Sequence, residues 1–131
     1  MALDFTSIDF ETANSSGASA CAVGLARVRD GRVVATAAWL IKPPAGHDTF
    51  APINVGIHGI RPIDVRNAPD WSTQLARLTA FAGADVLVAH NAGFDMSVLR
   101  RACAVTGDEC PPSRTPLRVP LSPKEYTLDS H

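Results

Sequence analysis

Leu3-Asp4-Phe5-Thr6-Ser7-Ile8-Asp9-Phe10-Glu11-Thr12 is the stretch on which the interpretation of this 131-residue chain turns. Residues 3–10 alternate, with Phe5, Ser7 and Asp9 toward one face and Thr6, Ile8 and Phe10 toward the other, the period of a strand. Asp9 and Glu11 stand two apart, so a strand carries both carboxylates on one face. Between hydrophobic neighbours in a strand expected to be central, two acids are costly unless a cation neutralises them. Oxygen-only ligands of that kind select hard ions such as Mg²⁺ or Mn²⁺. The same acids also fit a strand end where both are simply solvated.

A polar patch, Asn14 to Ser19, ends this strand, and Ala20 to Arg29 reads as the next one. Asp30-Gly31 is a two-residue hairpin signal, and Arg32 to Ile41 returns antiparallel. Pro43 to Pro69 is a long irregular connection, with a short helical turn at Ile63 to Asn67. Its apolar residues Phe50, Ile53, Ile57 and Ile60 predict that it packs. Asp70 is a predicted N-cap for a helix with the stripe Trp71, Leu75, Leu78 and Ala82, closed by Gly83. Val86 to Ala89 is short and wholly apolar, as in a buried strand parallel to its neighbour. A second helix starts near Asn91 to Phe94 and runs to Thr106, with Phe94, Val98 and Ala102 inward and Gly107 at its end. Five of the ten prolines fall in the last 25 residues. Residues 108–131 therefore read as an extended or poorly ordered tail, after a single domain over 1–107.

Composition bounds the function. With 46% hydrophobic and 19% charged residues the chain can build a core, and wholesale disorder is excluded. Twelve basic against thirteen acidic residues give a net charge of -1, which excludes a protein that grips nucleic acid by bulk charge but not one with a local site. Cys21, Cys103 and Cys110 form no CxxC pair, which points away from a disulfide framework or zinc knuckle and toward a reducing compartment. The N-terminus has no basic start or apolar run of a signal peptide, so a soluble, cytoplasmic protein without membrane contact is expected.

Val88-Ala89-His90-Asn91-Ala92-Gly93-Phe94-Asp95 is the second acidic stretch. A buried strand leads into a turn, and Asp95 sits in the first turn of the following helix. The helix dipole alone favours an acid there, but such strand-to-helix ends are also where α/β sheets place their sites. Taken together, Phe5 to Thr12 resembles the first motif of the DEDD 3′–5′ exonucleases, and His90 to Asp95 resembles their second. Ile57-His58-Gly59-Ile60, Asp64-Val65 and Ala68-Pro69 resemble the stretch between them in the DnaQ-like branch, the epsilon-type subunits of bacterial DNA polymerase III. The resemblance runs from about residue 4 to residue 106.

This resemblance implies an α/β, ribonuclease H-like mixed sheet: a three-stranded antiparallel meander plus a parallel strand, with flanking helices. It implies that Asp9, Glu11 and Asp95 are catalytic metal ligands for two Mg²⁺ or Mn²⁺ ions, roughly 3.5–4 Å apart in such sites. Thr12, His58, Asn91 and Phe94 would hold the substrate, a single-stranded 3′ end, DNA rather than RNA, with a polymerase partner or self-association. The family's third motif, a His followed five residues later by Asp, has no counterpart after Gly107. Tyr126 precedes Asp129 by three residues, one short of the spacing in the tyrosine branch, and His131 is the last residue. The expectation is a domain whose C-terminal part is missing and whose exonuclease activity is impaired. The alternatives are a catalytically inactive nucleic-acid- or partner-binding remnant, or a structural α/β protein with coincidental acids.

Overall fold

Asp30 and Gly31 both take positive φ, 51° and 74°, the backbone that a two-residue type I′ hairpin requires and that glycine adopts at no steric cost. The turn joins β2 (Ala20–Arg29) to β3 (Arg32–Leu40), as the sequence predicts. It is tied back to the start of β1 (Phe5–Thr12), because Gly31 N–H donates to the Leu3 carbonyl at 3.1 Å and Asp30 N–H to the Asp4 carboxylate at 2.8 Å. The computed structural model describes residues 3–89, 91–111 and 113–114. Across these, β1 to β3 are followed by α1 (Pro52–His58), α2 (Pro62–Val65), α3 (Trp71–Ala82), β4 (Leu87–Ala89), α4 (Ala92–Thr106) and β5 (Ser113–Arg114).

The described strands form one sheet in the order β3-β2-β1-β4-β5. β1 is central, antiparallel to β2 and parallel to β4, where Thr6, Ser7 and Ile8 face Leu87, Val88 and Ala89. This is the ribonuclease H-like arrangement. Asp85 locks the entry to β4 by accepting from Thr6 Oγ1 and from Arg29, both at 2.8 Å. Ile8, Phe10, Val23 and Leu25 on one sheet face pack against α3 and α4, chiefly Trp71, Leu78, Val98 and Leu99. Phe10 and Trp71 meet with ring centroids 5.6 Å apart. Asp70 caps α3 by accepting from Thr73 N–H at 2.9 Å. Among the described residues no helix is long and apolar enough to cross a membrane.

Three local features differ from the expectations. The 43–69 connection contains a full helix, α1, not only a turn at 63–67. Pro52 occupies its first turn, where the missing N–H costs nothing, and Gly59 ends it. Phe50 and Ile60 pack as expected, but Ile53 and Ile57 are 73% and 75% exposed. Phe94 does not face inward from α4: it is 40% exposed, and the inward positions are Asp95, Val98, Leu99 and Ala102. Finally, Ser113–Arg114, within the stretch read as a tail, pairs in parallel with the outer edge of β4. Residues 115–131, with Tyr126, Asp129 and His131, lie outside the described residues.

Candidate active site

The site is built where β1 outruns its parallel neighbour. Asp9 and Glu11 project from one face of β1, each half-buried. Their antiparallel partners on β2 are Gly24 and Ala22, whose small size leaves room above both carboxylates. The ladder slips between Glu11 and Thr12, where Cys21 is the extra residue on β2. Bulges of this kind re-aim a strand end, here beside the two acids.

The described pairing of β1 with β4 runs to Ile8 opposite Ala89, and the next amide on that edge of β1 is Phe10 N–H. Asp95 takes it. Its Oδ1 accepts from Phe10 N–H at 2.9 Å, and its Oδ2 accepts from Asn91 N–H at 2.8 Å. One fully buried side chain thereby pins the start of α4 to the strand position between Asp9 and Glu11. Burial is the largest influence on this carboxyl and pushes its pKa up to about 7, with repulsion from Asp9 and Glu11 adding to the rise and the two N–H donors opposing it. The two strand acids are therefore close enough to act on Asp95 electrostatically.

The donor set suits a hard divalent cation: three carboxylates, no sulfur, and mutual repulsion that a cation relieves. Each Asp95 oxygen uses one lone pair on an N–H and keeps another. As the side chains stand, no three His, Cys, Asp or Glu among the described residues are gathered tightly enough to hold an ion.

The turn after the acids is held from α1. His58 is buried, its Nδ1 accepting from Ile60 N–H at 2.9 Å. That assigns the ring hydrogen to Nε2, which donates to the Thr12 carbonyl at 2.9 Å. Both nitrogens of His58 are thus spent on backbone, and the side chain supports Thr12 rather than presenting a free polar atom. Asn54, which the sequence did not single out, donates to the same carbonyl at 3.1 Å. Asn91 is exposed at the N-cap of α4 and makes no side-chain capping bond, while Phe94 stands exposed beside it. Thr12, Asn54 and Phe94 border a cavity of 430 Å³ that also reaches Ser16, Gly17 and Arg101. An apolar cavity of 390 Å³ near Phe50 and Ile63 contains none of the three acids. His90 lies outside the described residues.

Comparison with known proteins gives the family and the fold. The RNase_T family, described as exonuclease, matches residues 6–122. A protein of Mycobacterium tuberculosis (strain CDC 1551 / Oshkosh), named a bifunctional exonuclease/endonuclease, is 39% identical over 87 residues, 64% of this chain. Those residues cover 13% of that protein's length. Exonuclease X, solved with 5′-overhanging duplex DNA, superposes with a TM-score of 0.66 at 24% identity over 85% of this chain and 57% of its own. Product-bound exonuclease I gives a TM-score of 0.70 at 20% identity over 83% of this chain and 27% of its own. The nuclease domain of 3′hExo, a DEDDh family member bound to rAMP, gives 0.68 at 14% identity, covering 83% of this chain and 62% of its own. At these identities the three structures establish the shared fold.

Proposed function

We propose, from the premise that this chain belongs to the RNase_T exonuclease family, DnaQ-like in type, that it carries a metal-dependent site for hydrolysing the 3′-terminal phosphodiester of a single strand. The observation that carries this is the Asp95 carboxylate, buried and bonded to the amide between Asp9 and Glu11.

Asp9, Glu11 and Asp95 would hold Mg²⁺ or Mn²⁺. When bound, such a cation supplies charge neutralisation at the phosphoryl group and makes water a better nucleophile near neutral pH. The protein's own part is positioning. Asp95 cannot swing, because both its oxygens are gripped by backbone amides. Thr12, fixed by His58 and Asn54, and the exposed pair Asn91 and Phe94 would bracket the terminal nucleotide, Phe94 by stacking on its base. The proton acceptor for the attacking water is the weak point. His58 spends both ring nitrogens on backbone, and His47 Nδ1 bonds Ser16 Oγ at 2.8 Å. No His-x4-Asp follows Gly107 within residues 1–131. Neither described histidine thus has its site-facing nitrogen free to take the proton, and without such a base catalysis should fall by about 10²–10⁴. The same observation favours a second reading, in which these residues bind strands without cleaving them.

A nuclease assay on end-labelled single strands separates the two. Slow, EDTA-sensitive shortening from the 3′ end, lost in Asp9→Asn, is the expected result, and binding without any shortening selects the second reading. Calorimetry adds a test that needs no turnover. Mn²⁺ should bind the native chain and not Asp9→Asn, whereas equal affinity in both would remove the metal-site assignment.

A further inference from the structure

Arg101 is the one ionisable side chain among the described residues lining the 430 Å³ cavity beside the acids. It belongs to α4, seven residues after Phe94, with Ser97 between them. Spacings of three, four and seven place all three on one helix face. Ser97 Oγ accepts from Arg101 Nε at 3.2 Å, which steadies the stem while the outer guanidinium nitrogens stay available. The opposite wall is the turn between β1 and β2, where Arg101 crosses Gly17 so closely that a Cβ there would clash with its Cδ. No carboxylate among the described residues pairs with Arg101. Glycine at 17 therefore keeps a cationic arm lying along an otherwise neutral, polar groove.

Resting on the exonuclease reading above, we propose that this groove tracks the strand upstream of its terminal nucleotide, and that Arg101 holds one of its phosphates. The scale agrees. Seven residues of α-helix advance about 10 Å, and a stacked strand advances about 3.4 Å per nucleotide, so Arg101 meets the strand about three nucleotides from Phe94. A chain of net charge -1 cannot hold a polyanion by its overall field, which leaves affinity to local cations of this kind. Arg101 is a binding residue, remote from the reacting bond, and its effect should depend on substrate length.

The test is equilibrium binding in Mg²⁺, read before cleavage is detectable, with a labelled single strand and with a nucleoside 5′-monophosphate at several salt concentrations. Arg101→Ala should weaken strand binding several-fold and lower the log–log salt slope by about 0.7, the value for one lost single-strand phosphate contact. Mononucleotide binding should not change. Arg101→Lys should retain the slope with part of the affinity. Gly17→Ala, which pushes the stem aside while keeping the charge, should also weaken strand binding alone. Thermal melts should show all three variants folded, since Arg101 is exposed. If the native chain prefers strands to mononucleotides and Arg101→Ala matches it in affinity and slope, this inference fails and the exonuclease reading stands. If the native chain binds neither, the exonuclease reading fails and takes this inference with it.

Discussion

Asp95 is where folding and function pull against each other. Its pKa rises from an ordinary 3.8 to about 7 on folding, mainly through burial and then through Asp9 and Glu11. A carboxyl raised in this way holds its proton better in the folded chain than in the unfolded one. Its favourable contribution is therefore present below about pH 4 and is lost as pH rises toward 7. Metal-free melts should show stability falling across that window, with this part of the slope missing in Asp95→Asn. The variant should also be less stable overall, because its amide turns one N–H toward a backbone N–H; the slope is the readout. A divalent cation needs the ionised carboxylates, so Mg²⁺ should raise the melting temperature more in alkaline than in acid buffer. Equal increments at both ends would contradict a site made from these three acids.

At the scale of elements, the end of β1 is shaped by a helix far along the chain. α1 is only seven residues long and built around Ile53, Val55, Gly56 and Ile57, none of them strong helix formers. It is held by what it delivers: His58 and Asn54 to the Thr12 carbonyl, and the Ile60 amide to His58. His58→Ala strips the partner from a part-buried N–H and leaves a gap beside Cys21, costing about 1–3 kcal/mol for the unpaired group alone. Denaturant unfolding should show that loss, and strand binding should weaken with it, because the Thr12 carbonyl then keeps only its longer bond from Asn54. Unchanged stability would mean that α1 is not anchored through this ring. Asn54→Ala should have a smaller effect, since the Thr12 carbonyl keeps its bond from His58.

For the molecule as a whole, exposed apolar residues at one sheet edge and on α1 decide how it associates. Val34 and Leu40 on β3 are 58% and 38% exposed, and Ile53 and Ile57 on α1 more so. β3 pairs only with β2 among the described residues. Long sheet edges with apolar neighbours promote association, so residues 1–131 alone should sediment as a concentration-dependent mixture. Grafting the C-terminal segment of a homologous complete domain, carrying His-x4-Asp, after Thr106 should shift that mixture toward monomer. It should also raise exonuclease activity by about two orders of magnitude or more. Full family-level activity in residues 1–131, free of contaminating nuclease, would show that the proton acceptor is already present within them.

Much of the fold was legible in local chemistry. Asp30-Gly31 specifies its hairpin because few other residues accept positive φ twice in succession. Asp70, Gly83 and Gly107 bound two helices because caps act within a few residues. The spacing of Asp9 and Glu11 put both on one strand face because a strand has a period of two. What escaped depends on contacts between distant segments. α1 consists of weak formers stabilised by the tertiary bonds of His58 and Asn54. The outward turn of Phe94 follows from Asp95 being drawn inward to Phe10 N–H, which sets the rotation of α4. β5 is two residues with no period of their own, and the outer edge of β4 defines them. The resemblance implied that Asp95 joins Asp9 and Glu11, but the bond that draws it to the Phe10 amide between them links distant segments and has no local signal. Backbone propensity and side-chain period act over a few residues and can be read in order, whereas an unclaimed hydrogen-bond donor exists only once the sheet has assembled around it.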